Sequence, residues 1–180
     1  MPFTEVYTGA NGTLVFNGGD GPEGQDAQAI LDAPPYDIFE VGRVTDVEVH
    51  VETDLEEFHE IGRRHATSLH SGNIHIRGKV GRAYINGALL YLLLGRGALP
   101  NNTAEPYVQP ALTLNVLLKN PAIPGNRLVL DIYGVKFQNW SFALPEDDFV
   151  MEDVTFKALR INVRDEGDAG VQSPQFPEAS

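Results

Sequence analysis

Histidines and carboxylates are the residues whose types and spacing could support chemistry, and they concentrate in one part of the chain. The run HEIGR at residues 59–63 would resemble the zinc-binding helix of a metalloprotease if its last position were histidine. That position is Arg63, which removes the second zinc ligand. His65, His70 and His75 recur at a spacing of five residues. In a stretch predicted to be loop and strand, this spacing does not bring three imidazoles to one face.

Other catalytic patterns are missing from the sequence. We find no G-x-S-x-G elbow, no Walker loop and no carboxylate pair within an apolar pocket pattern. The chain has no cysteine, which excludes a thiol nucleophile, a disulfide framework and a thiolate zinc site. Asp147 and Asp148 lie in PEDDF, where a turn explains them. We therefore expect a protein that is not an enzyme and that holds no metal or cofactor.

Composition restricts the domain count and the class of partner. With 180 residues, 42% of them hydrophobic, the chain can bury one substantial core, so one domain is expected. Its formal net charge of −12 argues against a basic surface that grips phosphates. The start of the sequence has neither a basic region nor an apolar stretch of the secretory type, so we expect the protein to stay in the compartment where it is made.

Strict alternation of apolar and polar residues predicts two strands in the middle of the chain. Asp46 to Glu52 places valines on one face and mainly acidic residues on the other. Asn73 to Val80 places isoleucines and a valine on one face and mainly basic residues on the other. If the two strands pair, opposite charges face each other, and each such pair contributes about 0.2–1 kcal/mol. The segment at 53–62 is interpreted as a loop or as the tip of a long hairpin.

The most apolar run of the sequence, GRAYINGALLYLLLG at Gly81–Gly95, is predicted to be a helix. Its twelve nearly continuous apolar positions, Ala83–Leu94, would span about 18 Å as a helix, short of the about 30 Å hydrocarbon core of a bilayer, so no membrane insertion is expected. A helix that is apolar on nearly every side needs cover from more than one direction. It is either the core helix of the domain or partly buried by a neighbouring subunit, and the residues expected to make such an intersubunit contact are Tyr84, Leu89, Leu92 and Leu93.

Several shorter patterns complete the predicted domain. Gly18 to Asp32 holds four glycines, one proline and four acids, a composition that favours an exposed loop. Residues 1–164 are predicted to form a single domain, followed by a loose polar tail at 165–180. The remaining predicted elements are a hairpin from Phe3–Tyr7 and Leu14–Phe16, and strands at Leu112–Leu118, Arg127–Tyr133, Val135–Leu144 and Val150–Val163, the last with a β-bulge near Ala158 or Leu159.

Three runs together resemble phage tail tube proteins, and the resemblance covers residues 41–164. The runs are VGRVTDVEVHVETDLEEFHEIGRR, GNIHIRGKVGRAYINGALLYLLLGRG and VKFQNWSFALPEDDFVMEDVTFKALRINVRD. The resemblance implies a mainly β fold, a sandwich or barrel with one flanking α-helix. In that family the subunits form hexameric rings that share a β-barrel and stack into a tube. Inner tubes of contractile injection machines and of type VI secretion share this fold.

The resemblance also implies a role and a set of partners. The chain would be a structural virion protein of the tail, made in the host cytoplasm, whose tube conducts DNA from capsid to host. Its partners would be further copies of itself, the tape measure protein, baseplate and terminator proteins, and a sheath if the tail is contractile. DNA would pass through the lumen without specific binding.

Two groups of residues are expected to serve the tube, and two other functions stay open. The lumen-lining group is Asp46, Glu48, Glu52, His75, Arg77 and Lys79. The ring-stacking group is Asp54, Glu56, Glu57, Phe58 and Glu60. One alternative is the inner tube of a contractile injection or secretion system. The other is a ligand- or sugar-binding β-sandwich, for which Trp140, Tyr133 and Phe137 would have to form an exposed cluster.

Overall fold

Eight strands, two helices and one 3₁₀ turn lie within the residues that the computed structural model describes, which are 7, 9, 12–33, 44–83, 86–99, 108–119, 125–167, 170–172 and 174–177. The predicted mainly β class with a flanking helix is confirmed. The elements are β1 (Gly12–Gly18), α1 (Gly21–Asp32), β2 (Val44–Phe58), β3 (Ser68–Ala83), α2 (Ala88–Leu94), the 3₁₀ turn (Gly95–Ala98), β4 (Leu112–Lys119), β5 (Arg127–Ala143), β6 (Met151–Ala158), β7 (Arg160–Gly167) and β8 (Gly170–Gln172).

The strands form two antiparallel sheets that share β5. In hydrogen-bonding order the strands run β1-β4-β5-β6-β3-β2, with β7 paired to β5 and β8 paired to β7. The first part of β5 pairs with β4 and β7. Its second part, from Lys136, pairs with β6. We call β1, β4, the first part of β5, β7 and β8 the body sheet, and the second part of β5, β6, β3 and β2 the hairpin sheet.

Two chain segments cross between these sheets at the same level. β5 bends at Gly134, whose φ of +65° is readily accessible only to glycine. A Cβ there would lie 2.7 Å from Cδ1 of Leu159, the residue that separates β6 from β7. The backbone N–H of Leu159 donates to the Tyr133 carbonyl at 3.0 Å. The expected bulge near Leu159 is thus a change of sheet, and the two strands predicted at 127–144 are one strand.

One hydrophobic core joins both sheets and α2. Phe16 of β1 and Phe137 of β5 meet edge to face at a ring separation of 6.1 Å. Each fully buried side chain of this size contributes roughly 1.5–3 kcal/mol. Other members of the core are Leu14, Ala27, Leu31, Ile76, Val80, Ala88, Leu89, Leu92, Leu112, Leu114, Ile132, Val135, Val154 and Phe156.

The segment predicted to be an exposed loop at Gly18–Asp32 is mostly the helix α1, so that prediction is wrong. Its buried residues are Gly24, Ala27 and Leu31, which recur at helical spacing on one face. Gly24 lies directly against the Gly19 carbonyl, where a Cβ could not fit. A face made of small residues packs closely although the composition is polar, and a count of glycines and acids does not detect it.

The predicted helix at Gly81–Gly95 is shorter than expected. Residues 81–83 continue β3, since Arg82 pairs in register with Glu152 of β6. The helix begins at Ala88, whose backbone N–H donates to Oδ1 of Asn86 at 3.1 Å. It ends at Gly95, where φ is +60°, as the sequence predicts. Within the described residues, no helix has the length and hydropathy needed to cross a membrane.

The ends of the chain also differ from expectation. Leu14–Phe16 lies in β1, which pairs with β4. The other half of the predicted hairpin, Phe3–Tyr7, lies outside the described residues except for Tyr7. At the far end, β7 reaches Gly167 and β8 pairs with it, so residues 165–167 and 170–172 of the predicted loose tail belong to the body sheet.

Candidate assembly surface

The β2–β3 hairpin is the longest paired feature of the described chain. Its arms are antiparallel from Val44 opposite Arg82 to Phe58 opposite Ser68, with a register shift between Thr53 and Leu55. The predicted pairing is confirmed. The segment at 53–62 is the outer part of β2 together with the turn, so the second of its two interpretations, the tip of a long hairpin, is correct.

The outer half of the hairpin extends beyond the rest of the molecule. β6 pairs with β3 only from Ala83 to Ile76. At about 3.3 Å per residue, the part of β3 from Ser68 to His75 projects about 26 Å further. β2 lies at the edge of the hairpin sheet, and a free edge is a template for pairing with another chain. This half of the hairpin is therefore available to a second molecule.

All six residues of the predicted lumen-lining group lie on one face of this hairpin. Glu48 faces Lys79 across the strands, and Glu52 faces His75. The shared face follows from period-two alternation, since cross-strand partners point to the same side of a sheet. Its ion pairs are Arg77–Glu52 at 3.6 Å and Lys79–Asp46 at 4.0 Å. His50 lies 3.7 Å from Glu48 and His75 lies 3.1 Å from Asp54, and these two contacts become ion pairs only when the histidine is protonated.

These contacts between exposed side chains contribute little stability. Every partner has more than a third of its side chain exposed, and such pairs contribute about 0.2–1 kcal/mol each. β6 adds two residues that the sequence reasoning missed, Asp153 and Lys157. Asp153 accepts a salt bridge from Lys79 at 3.6 Å, and Lys157 stands opposite Arg77. Both could have been found from the sequence, because in β6 polar residues alternate with apolar ones and place Asp153 and Lys157 on the polar face. The face thus presents mixed charge to solvent.

The opposite, apolar face of the hairpin is covered near its base and bare toward its tip. Val47 and Val49 pack against the core, and Val80 is fully buried. Beyond them the large apolar side chains lose their cover. Their exposed fractions are 53% for Val51, 59% for Leu55, 61% for Leu69 and 65% for Ile74. Contiguous apolar surface of this kind marks a contact site for another molecule.

The predicted ring-stacking group lies at the outer end of the same hairpin. Asp54, Glu56, Glu57 and Phe58 belong to β2, and Glu60 belongs to the turn. All five side chains are exposed. Two of the acids have partners close by on the hairpin, His59 with Glu57 at 3.1 Å and Arg63 with Glu60 at 3.6 Å.

The helix residues predicted to contact a neighbouring subunit divide into two groups. Leu89 and Leu92 are completely buried in the chain's own core, so no surface is left for a neighbour, which corrects the expectation for both. Leu93 is half-buried against that core, and an intersubunit contact there stays a prediction. Tyr84 lies outside the described residues. The neighbouring Leu94 is exposed.

A buried ion pair anchors the base of the hairpin. Arg82 of β3 donates through Nε to Glu152 of β6, and both side chains are fully buried. Trp140 donates its indole N–H to the other carboxylate oxygen of Glu152 at 2.9 Å. Arg82 also reaches the backbone and side-chain oxygens of Asn86 at 3.3 Å, just before α2. The network ties the hairpin to β5 and to the helix.

The body sheet holds a second polar network. Asp131 of β5 accepts hydrogen bonds from Asn115 of β4 and from Arg164 of β7, the latter at 2.9 Å. The hydrogen bond to Asp131 and the charge of that carboxylate raise the pKa of the Arg164 guanidinium. Arg127 pairs with the largely buried Glu166. In the same way Asp26 of α1, at 3.0 Å, raises the pKa of Arg96, which joins α1 to the turn after α2.

The residues considered for chemistry do not assemble into a site. Phe137 is buried, Trp140 is tied to Glu152, and Tyr133 lies under the Arg160 guanidinium at 4.9 Å, so these aromatics form no exposed cluster. Across the described ranges, no group of three or more histidine, cysteine or acidic residues could hold a metal ion.

Comparison with known proteins was made for both sequence and structure. No protein-family model and no curated protein matches the sequence. A chain of the sheath–tube complex of an extracellular contractile injection system, PVC, in the extended state aligns with a TM-score of 0.58 at 10% identity, over 91% of this chain and 94% of that chain. A chain of the PVC sheath/tube terminator aligns at 0.58 and 10%, over 90% and 99%.

The SPP1 tail tube aligns with a TM-score of 0.54 at 8% identity, over 91% of this chain and 80% of that chain. At identities of 8–10%, these alignments show a shared fold. The chain has the fold of the tube proteins of phage tails and contractile injection systems.

Proposed function

We propose that this chain is a structural subunit of a tail tube, which forms rings, hexameric by analogy with the family, that stack into a conduit for DNA. The observation that carries the proposal is the protruding β2–β3 hairpin. Toward the tip one of its faces is apolar and bare, the outer edge of β2 has no strand partner among the described residues, and its other face carries charges of both signs. In a ring, a neighbouring hairpin would pair with the free edge of β2, and the body of a neighbouring copy would cover the apolar face, so assembly would bury both exposed features.

The charged face would then line the lumen. Asp46, Glu48 and Glu52 on β2 stand beside Arg77 and Lys79 on β3, with His75 as a third positive charge when it is protonated, so the face carries both signs of charge. A basic face would bind the duplex tightly through many phosphate contacts, whereas a face that carries both signs of charge binds it weakly and offers less resistance to its passage. The proposed partners are other copies of this chain, the tape measure protein, baseplate and terminator proteins, and a sheath in a contractile tail. The proposed location is the virion tail.

A second candidate is the inner tube of a contractile injection or secretion system. Its support is that chains of the PVC sheath–tube complex and of the PVC terminator share the fold over 91% and 90% of this chain. The two candidates share ring, tube and sheath contacts and differ in what passes through the lumen. A ligand-binding sandwich has less support because its aromatic cluster does not form.

Native mass spectrometry and negative-stain microscopy of the purified chain test the proposal. We expect rings of one defined size that stack into tubes as concentration rises. A reconstruction of those tubes should place Glu52 and Arg77 on the inner wall, and a placement on the outer wall would refute the lumen assignment. A chain that stays monomeric at every concentration would contradict the tube function itself.

A further inference from the structure

The two ends of the hairpin sheet carry opposite chemistry. We call residues 59–67 the hairpin tip and residues 144–150, which join β5 to β6, the acidic turn. Ala83 of β3 pairs with Met151 beside the acidic turn, while Ser68 begins β3 beside the hairpin tip. The length of β3 separates them by about 50 Å at about 3.3 Å per residue. Within one molecule they therefore cannot touch.

The hairpin tip is an ordered, basic and partly apolar projection. Backbone bonds from Thr67 to Phe58 at 2.8 Å and from Arg63 to Glu60 at 3.2 Å close it. Ile61 is fully exposed at its apex. Glu60 is the one acid of the tip and pairs with Arg63 at 3.6 Å. Arg64 forms no ion pair with a described residue, so a positive charge and an isoleucine project together.

The acidic turn offers the complementary surface. Leu144 and Phe149, at its two ends, are both largely exposed. Between them lie Glu146, Asp147 and Asp148, and the turn contains no basic residue. Asp148 accepts the backbone N–H of Phe149 at 2.7 Å, which orders the turn. Glu146 and Asp147 form no ion pair with a described residue, so their charges are open to a cation.

We propose that the hairpin tip of one molecule docks on the acidic turn of a second copy of this chain, with Arg63 and Arg64 against Glu146 and Asp147 and with Ile61 against Leu144 and Phe149. The proposal rests on the tube function above and names the contact that stacks one ring on the next. A contact between unlike surfaces is heterologous and repeats without closing, as a growing tube requires. Contact between two tips would bring arginine against arginine.

Each such contact is small, and the ring multiplies it. Exposed charge pairs are weak singly and sensitive to salt. When rings meet, all copies engage together, so the contacts after the first form at high effective concentration. Stacking should therefore be steep in protein concentration and should weaken as salt is raised.

Cysteine cross-linking provides a direct test, because the natural sequence has no cysteine. We would mix a tagged Arg64→Cys chain with an untagged Asp147→Cys chain under mild oxidation. The expected product is a disulfide-linked pair of one tagged and one untagged chain, and a chain carrying both changes should give a ladder. Asn162→Cys, on the exposed face of β7, replaces Asp147→Cys as the matched control and should give no pair with Arg64→Cys. Linkage of Arg64→Cys to itself alone would overturn the proposal.

Charge exchange gives an independent readout. The variant R63E/R64E and the variant E146K/D147K should each still form rings, but each should need on the order of tenfold more protein to form tubes. Both pairs of changes in one chain should restore tube growth. If the wild type forms tubes and neither reversal alters them, the docking contact is wrong and the tube function stands. If the wild type forms neither rings nor tubes, both proposals fail.

Discussion

The body sheet and the outer half of the β2–β3 hairpin are both built from antiparallel strands, but they differ in which side chains are buried and which are exposed to solvent. In the body sheet, Asp131 and Glu166 are largely buried, and each has arginine partners on an adjacent strand. On the hairpin, Leu55 and Ile74 face solvent and the ion pairs are exposed. The body sheet thus finds partners for its buried charges within one chain, whereas the outer half of the hairpin leaves apolar side chains that only another molecule could cover.

Substitutions in the hydrophobic core should lower the unfolding free energy most. Leu92→Asp places a carboxylate in a fully buried site of the core, which should lower the unfolding free energy by at least about 4 kcal/mol. Leu94→Asp, two residues further on the exposed side of the same helix, is the matched control and should cost less than about 0.5 kcal/mol. Urea denaturation measures both. Equal losses would mean that the two faces of α2 are not different.

Substitutions in the ion pair at the base of the hairpin should have the next largest effect on the unfolding free energy. Glu152→Ala leaves Arg82 buried without its carboxylate and removes the acceptor of the Trp140 indole, which should cost about 3–5 kcal/mol. Asp153→Ala, the next residue on the exposed face, removes only the Lys79 pair and should cost less than about 1 kcal/mol. Thermal and urea unfolding would measure the difference. A Glu152→Ala protein as stable as the wild type would show that the buried pair does not anchor the hairpin.

The charged face of the hairpin should contribute little to stability. A double-mutant cycle on Glu52→Ala and Arg77→Ala should give a coupling of about 0.2–1 kcal/mol, since both side chains are mostly exposed. The coupling should shrink at about 1 M salt, where the screening length is about 3 Å. A coupling above about 2 kcal/mol would indicate a pair that is shielded from water.

The bare apolar face should have the smallest effect on folding and a large one on assembly. Leu55→Ser with Leu69→Ser should change the unfolding free energy of the monomer by less than about 0.5 kcal/mol, because both side chains already face water. The same variant should no longer form rings by native mass spectrometry. Val163→Ser, at a similarly exposed residue of the body sheet, serves as the control. Rings from the hairpin variant would remove the difference between the two regions.

The sequence predicts the hairpin better than it predicts the body. In β2 and β3 one face meets water, so Val47, Val49 and Ile76 alternate with charged residues and the faces can be assigned residue by residue. α1 escapes detection because its contacts use Gly24 and Ala27, whose small size is what allows close packing. Residue counting treats the same glycines as a sign of a loop.

Contacts between residues far apart in the sequence cannot be predicted from local patterns, in the hairpin sheet as well as in the body sheet. Arg82 and Glu152 are 70 residues apart, and each by itself resembles a charged residue on a solvated strand. At Gly134 and Leu159 the chain passes from one sheet to the other, because the first part of β5 pairs with β7 and the second part with β6. A period-two pattern identifies a strand but not its neighbours in the sheet. The width of the apolar run places Leu89 and Leu92 at an interface, but α2 is short, packs on β5 and α1, and buries both residues in the chain's own core.

The continuity of β5 through both sheets has a mechanical consequence. A force on the projecting hairpin passes through the β3–β6 ladder into the second part of β5, and from there along the covalent backbone past Gly134 into the body sheet. A pull along the strand direction loads the ladder hydrogen bonds in parallel, so many must break together before one strand slides. A sideways pull would open the same ladder one bond at a time. The subunit is thus stiff along its strands and more compliant across them.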